Sequence, residues 1–184
     1  MAQYNGYRKV PHGSYSKWRS ATLGNGYNVD FSAGNQCWDY CALLYHQYGL
    51  ILVTKIGGGT AKDCWNISRV ANSRKPFVSL TGKANIKRGD VLVFDGTAGN
   101  PAGHISIADE DYNGTNRIRV AQQNGFTPYA PAAIATNSLN EFLGLFRNTN
   151  WSGSPTPPKP EDKKGSKKDK FPWVIGLNHW YNKR

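Results

Sequence analysis

Cysteine is scarce, with three in 184 residues. An odd number cannot pair completely, and Cys37 and Cys41 stand one helical turn apart, a poor disulfide spacing within a helix. Such a count suits free thiols in a reducing compartment, one of them a candidate reactive group. Close Cys-x-x-Cys pairs are missing, which weighs against a structural zinc built from Cys37, Cys41, Cys64 and a histidine. No run of about 18 apolar residues occurs, so no membrane span is expected. The opening MAQYNGYRKVPHG holds no apolar segment, so the chain is expected to be made in the cytoplasm without a signal peptide. Internal repeats are also absent.

Acidic residues are few, 12 against 23 Lys and Arg, for a formal net charge of +11. Residues 1–150 hold fifteen basic and nine acidic side chains, and residues 151–184 hold eight and three. A basic surface favours polyanions, whether nucleic acid or the anionic polymers of a bacterial wall. No nucleic-acid recognition motif is present, and the lysines concentrate in a proline-rich run, so nucleic acid is the weaker expectation.

Hydrophobic residues make up 39% of the chain, enough for one compact domain. Composition changes after Trp151, where SGSPTPPKPEDKKGSKKDK reads as a solvated tether. The expected organisation is a domain at 1–150, a Pro/Lys-rich linker at 151–170 and a short aromatic, basic tail at 171–184. Within the domain, Asn35–Tyr48 predicts a helix ending at Gly49, and Thr60–Asn72 a second, with Thr60 as its N-cap. From Gly89 onward the pattern turns to strands: Val91–Phe94, His104–Ala108, Ile118–Ala121 and a closing strand at Phe142–Phe146. Asn113-Gly114 signals a hairpin between the second and third. Helices first and antiparallel strands after make an α+β domain.

The stretch GNQCWDYC, residues 34–41, puts Cys37 in the first turn of its helix. Orphan N–H groups and the dipole favour a thiolate there. Cys41 and Cys64 read as small core hydrophobes. A thiol nucleophile needs a base, and His104 opens a strand beside the small residues Ala102 and Gly103. A turn at Asn113-Gly114 sets His104 opposite Gln123, and a shift of one residue substitutes Gln122 or Asn124. A side-chain amide accepting from the imidazole would fix its tautomer, as the third member of a triad does.

NQCWDY around Cys37, AKDCW in the second helix, KRGDVLVF…GHISIA around His104 and VAQQNG around Asn124 resemble the CHAP family, the cysteine, histidine-dependent amidohydrolase/peptidases. The resemblance covers roughly residues 20–148. It implies a papain-like α+β fold, with N-terminal helices packed on an antiparallel sheet, and hydrolysis of peptidoglycan amide bonds, commonly in bacteriophage lysins. Cys37 then stands as nucleophile and His104 as base, with Gln122 where many members carry glutamate and Asn124 where they carry asparagine. Gln36 and the helix-start amides are the candidate oxyanion donors. Release by phage lysis machinery, or carriage on a virion, would bring the enzyme to the wall, and the basic tail would meet anionic wall polymers. A papain-like peptidase acting on proteins is the closest rival.

No redox cofactor is implied. Calcium is a candidate ion, because Asn28, Asp30, Ser32 and Asp39 fall at positions one, three, five and twelve of an EF-hand-like spacing. Some members similar to this chain bind calcium here, although Ala33 replaces the expected turn glycine. A polar turn capping the Cys37 helix is the plainer reading of the same residues.

Overall fold

The computed structural model describes residues 2–55, 59–124 and 129–151. The expected tail and all of the expected linker except Trp151 lie outside these residues. Trp151 itself belongs to the domain. It is 3% exposed, its indole N–H donates to the His12 carbonyl at 2.6 Å, and its ring packs on Tyr15.

The chain runs β1 (Gln3–Asn5), α1 (Tyr15–Thr22), β2 (Gly26–Asn28), α2 (Cys37–His46), α3 (Asp63–Asn66) and α4 (Arg69–Asn72). It continues as β3 (Phe77–Leu80), a 3₁₀ turn, β4 (Val91–Phe94), β5 (His104–Ala108), β6 (Arg117–Gln122), β7 (Ala133–Ser138) and β8 (Phe142–Asn148). The last six strands form one antiparallel sheet ordered β3-β8-β4-β5-β6-β7, and β1 and β2 form a parallel pair. The expected α+β architecture, helices against an antiparallel sheet, is present.

Strand alternation explains why β4 is buried on both faces, since successive side chains point to opposite sides. Val91 and Val93, with Ile105 and Ile107 of β5, join the core beneath α2. Leu92 and Phe94 join Ala108, Val120 and Leu145 in a second core on the other face. Helix α2 is apolar almost all round, with every residue from Tyr40 to Tyr45 at most 1% exposed. A helix of that kind is stable only when wrapped by protein. Its two tyrosines satisfy their hydroxyls inside, Tyr40 with Thr22 and Tyr45 on the Asn72 carbonyl.

Four expectations differ from the structure. The helix over Thr60–Asn72 is two short helices, because the Ser68 hydroxyl bonds the Thr54 carbonyl and draws the chain off the helical path. Thr60 does not directly precede α3; its N–H and hydroxyl instead donate to Asp63. The strand expected to close the sheet is longer and runs between β3 and β4, inside the sheet. The connection from β5 to β6 is an eight-residue loop, not a two-residue turn. Asn113 there accepts from the Thr115 N–H, and Tyr112 donates to the Ile86 carbonyl.

Candidate active site

Cys37 is the first residue of α2, and the chain reaches it through a tightly held turn. Asp39 accepts from the Gln36 N–H at 2.8 Å and the Val29 N–H at 2.7 Å, tying the helix start to the end of β2. Gln123 adds a second tie: its amide exchanges two hydrogen bonds with the Tyr27 backbone and donates to the Gln36 carbonyl at 2.9 Å. A two-residue turn at Asn113-Gly114 would set Gln123 opposite His104. Gln123 is instead the clamp between β2, β6 and α2.

His104 is the first residue of β5. Gly103 before it lies at φ +71°, and a Cβ there would stand 2.4 Å from the Phe94 carbonyl oxygen. Glycine is what allows the strand to start that close to β4. The β5–β6 register, Ile107 with Ala121 and Ala108 with Val120, differs by one residue from the two-residue-turn expectation. Gln122 is the residue that meets the histidine, its Oε1 2.7 Å from His104 Nε2. The same oxygen accepts from Asn137 Nδ2 at 2.8 Å. An oxygen accepts only from a donor, so His104 carries its proton on Nε2 and presents the Nδ1 lone pair.

Asn124 makes no hydrogen bond to His104 among the described residues. Its Nδ2 donates to Gln36 Oε1 at 2.8 Å, and its Oδ1 accepts from the Tyr129 N–H at 2.9 Å. Gln36 Nε2 donates to the Ala33 carbonyl at 2.5 Å. The two residues therefore form one amide pair at the rim beside Cys37. Asn137 lay outside the sequence reading.

Cys37, His104, Gln36 and Asn124 line one cleft of about 710 Å³, together with Trp38 and Asn100. The thiol is half-buried and faces the backbone of Ile105, the residue after His104. Burial pushes it above its ordinary value, and the backbone amides of Ile105 and Trp38 offset this only in part. Burial at this helix start works against the lowering that position alone favours. Burial also holds His104 below its ordinary value, against the opposing pull of Gln122. Burial thus opposes charge on both groups.

Asn28, Asp30, Ser32 and Asp39 all lie on or beside the turn from β2 into α2. Burial, with the nearby Asp30 charge, pushes Asp39 up to about 6. Asn28 Oδ1 is buried without a hydrogen-bond partner among the described residues. Asp30 Oδ1 accepts from the Ser32 N–H at 2.9 Å. Unpartnered Asn28 Oδ1, with Asp30 and Asp39 in the same turn, is the oxygen chemistry a hard cation takes, although both Asp39 oxygens already accept backbone N–H groups. The cysteine–zinc alternative fits poorly: Cys41 and Cys64 are fully buried, and no three His, Cys, Asp or Glu side chains among the described residues could hold a metal.

The CHAP domain model matches residues 12–124. The chain belongs to the CHAP domain family. A D-alanyl-L-alanine endopeptidase of Streptococcus phage B30 is 30% identical over 115 residues, 61% of this chain and 25% of that protein. This CHAP chain thus spans about a quarter of the relative's length. The solved wild-type endolysin LysIME-EF1 superposes with a TM-score of 0.60 at 21% identity, covering 79% of this chain and 67% of its own. It shows the shared fold. A second structure, Ly7917, aligns over 65% of this chain and 56% of its own at 20% identity, with a TM-score of 0.47.

Proposed function

We propose that this CHAP domain hydrolyses peptidoglycan by covalent catalysis at Cys37. The observation carrying the proposal is the shared cleft of Cys37 and His104, with the imidazole held by Gln122 in the Nε2–H form. As the sulfur attacks the amide carbonyl, His104 Nδ1 takes the thiol proton. Proton transfer accompanies attack, because burial opposes charge on both groups beforehand. Orphan N–H groups at the α2 start receive the oxyanion, with the remaining Gln36 Nε2–H beside them. The imidazolium then protonates the leaving amine, and the C–N bond breaks. Water activated by the same Nδ1 attacks the thioester and frees the acid.

The endopeptidase name of the phage relative favours a stem or cross-bridge peptide bond over the muramoyl–alanine amide. The decisive experiment is turbidity clearing of purified walls, followed by mass spectrometry of the released muropeptides. New amino termini within the stem or cross-bridge, with the first alanine still joined to the lactyl group, are expected. Release of intact stem peptides from lactyl groups would make the enzyme an amidase instead, and cleavage of casein without wall clearing would make it a protein peptidase.

We also infer that Asn28, Asp30, Ser32 and Asp39 hold calcium, which supplies positive charge that braces the turn into α2. An ion bound only by the folded state stabilises by mass action, about 2.7 kcal/mol at a hundredfold excess over Kd. Chelation is expected to lower Tm and activity together, with calcium restoring both and Asp30→Ala abolishing the response. A melting curve indifferent to chelator would return these residues to a polar turn.

A further inference from the structure

Acyl transfer divides a substrate into two halves. The acyl half stays on the Cys37 sulfur, and the leaving amine takes its proton from His104 Nδ1. The leaving half therefore runs from the thiol out over the histidine. A second cavity, of about 410 Å³, opens on that side. His104, Gln122, Asp95, Asn100, Arg117 and Glu141 are among its walls, and Cys37 is not. His104 and Asn100 also wall the Cys37 cleft, so the two spaces adjoin at the base.

The charges of this cavity do not answer one another. Arg117 and Glu141 form no ion pair among the described residues, and Asp95 meets only Lys62, at 3.7 Å. Asp95 and Glu141 stand on adjoining strand ends, the Asp95 N–H donating to the Glu141 carbonyl at 2.8 Å. Like charges side by side weaken a sheet. Residues 1–150 hold fifteen basic side chains against nine acidic ones, yet none of the fifteen pairs with Glu141. Gln122 adds a polar group of its own. Both hydrogen bonds of its amide fall on one end, and the other end has none among the described residues, although the residue is only 4% exposed. That holds whichever end faces His104. Gln122 walls this cavity and not the Cys37 cleft. An unmatched polar end in a buried side chain is unfavourable, and a polar atom of a bound chain relieves it.

We propose that this cavity is the subsite for the leaving half of the substrate and selects a zwitterionic peptide, a placement that rests on the acyl-transfer roles of Cys37 and His104. Asp95 and Glu141 receive an ammonium group, and Arg117 takes a carboxylate, which a guanidinium matches with two parallel hydrogen bonds. The open end of Gln122 meets a backbone amide of the same peptide, which can donate or accept. The peptide that fits carries a free side-chain amine and a free carboxylate.

The test offers the full chain purified walls in three forms: untreated, with free amines acetylated, and with free carboxyl groups amidated. The kcat/KM for clearing is measured on each. Wild type is expected to lose about tenfold on either modified wall, the lower range for a hydrogen bond to a charged group. Glu141→Gln should lose about tenfold on untreated walls and treat untreated and acetylated walls alike to within about twofold, by the double-mutant logic. Arg117→Gln should do the same between untreated and amidated walls. Neither substitution strands an ion-pair partner among the described residues, so Tm should hold in both. Asp111→Asn removes an exposed carboxylate outside the cavity and should keep the tenfold discrimination, which separates a subsite from bulk attraction between a basic protein and its wall. A wild type indifferent to acetylation or to amidation would overturn the inference. So would a Glu141→Gln or Arg117→Gln enzyme that still discriminates, or an Asp111→Asn enzyme that does not. A fully active His104→Ala would instead bring down the catalytic reading, and this placement with it.

Discussion

The two ends of β5 are held by opposite chemistry. At its C-terminal end, Asp109 is 1% exposed at the side chain and accepts from Tyr15, Arg19 and Arg119 at 2.9, 2.8 and 2.6 Å. The Ala108 N–H donates to the carbonyl of Asp90, whose carboxylate takes a two-pronged contact from Arg147 at 2.9 and 2.7 Å. At its N-terminal end, His104 meets neutral amides: Gln122 directly, and Asn137 behind it. Charge pairs suit a part of the sheet that must stay put, because breaking one strands a buried ion. A base must change its charge, and a carboxylate beside it would bias it toward the protonated form. Neutral amides orient the ring without imposing that bias.

The largest expected effect separates the two ends outright. His104→Ala or Cys37→Ser should lower wall clearing by at least about 10³-fold, within the range for losing a base or nucleophile. Tm should hardly move, as differential scanning fluorimetry would record. Asp90→Asn should do the reverse. Arg147 is left 5% exposed without its anion, and a denaturant midpoint should report a loss of about 3–5 kcal/mol, with activity per folded molecule retained. An Asp90→Asn protein of wild-type stability would break the comparison.

Acid pH sharpens it. Burial raises Asp109, but Tyr15, Arg19 and Arg119 outweigh it and hold the carboxyl below its ordinary 3.8. The stability it contributes is present above pH 3.8 and lost as pH falls through the lower folded value. Urea midpoints should therefore show a loss in that window that Asp109→Asn lacks. At the other end, the acid limb of kcat/KM should lie below the histidine's ordinary 6.5. Gln122→Glu should preserve or raise the rate on the plateau above that limb and move the limb itself upward by at least about one unit, since an adjacent anion favours imidazolium. An unmoved limb would mean the Gln122 contact is not made during turnover. The smallest effect belongs to Cys41→Ala, which should keep full activity and cost about 1 kcal/mol for a small cavity.

Much of the site was legible before the fold. Cys37 announces itself by standing between a turn and an apolar helix, and His104 by following Pro-Ala-Gly into a β-rich run. The register shifted by one residue toward Asn124, and Gln122 reaches the ring diagonally, from two residues back on the same face. Asn137 was not legible, because AIATNS carries no strong strand alternation and its partner is chosen by pairing across β6. Nor was the direction of the Cys37 shift, because a helix start predicts the sign of one contribution and burial supplies a larger one.

By itself, the chain determined which residues could do chemistry and in what order they come: a thiol at a helix start, a histidine at a strand start, an amide-rich strand end. Those are local matters of periodicity, turn residues and side-chain type. Only the tertiary structure decided that Gln122 rather than Asn124 holds the histidine, that Asn124 turns to Gln36, and that β8 lies inside the sheet. It also decided that burial opposes charge on both thiol and imidazole. Each depends on register between distant strands or on how much water the packed cleft excludes, and neither is a property of any short stretch of sequence.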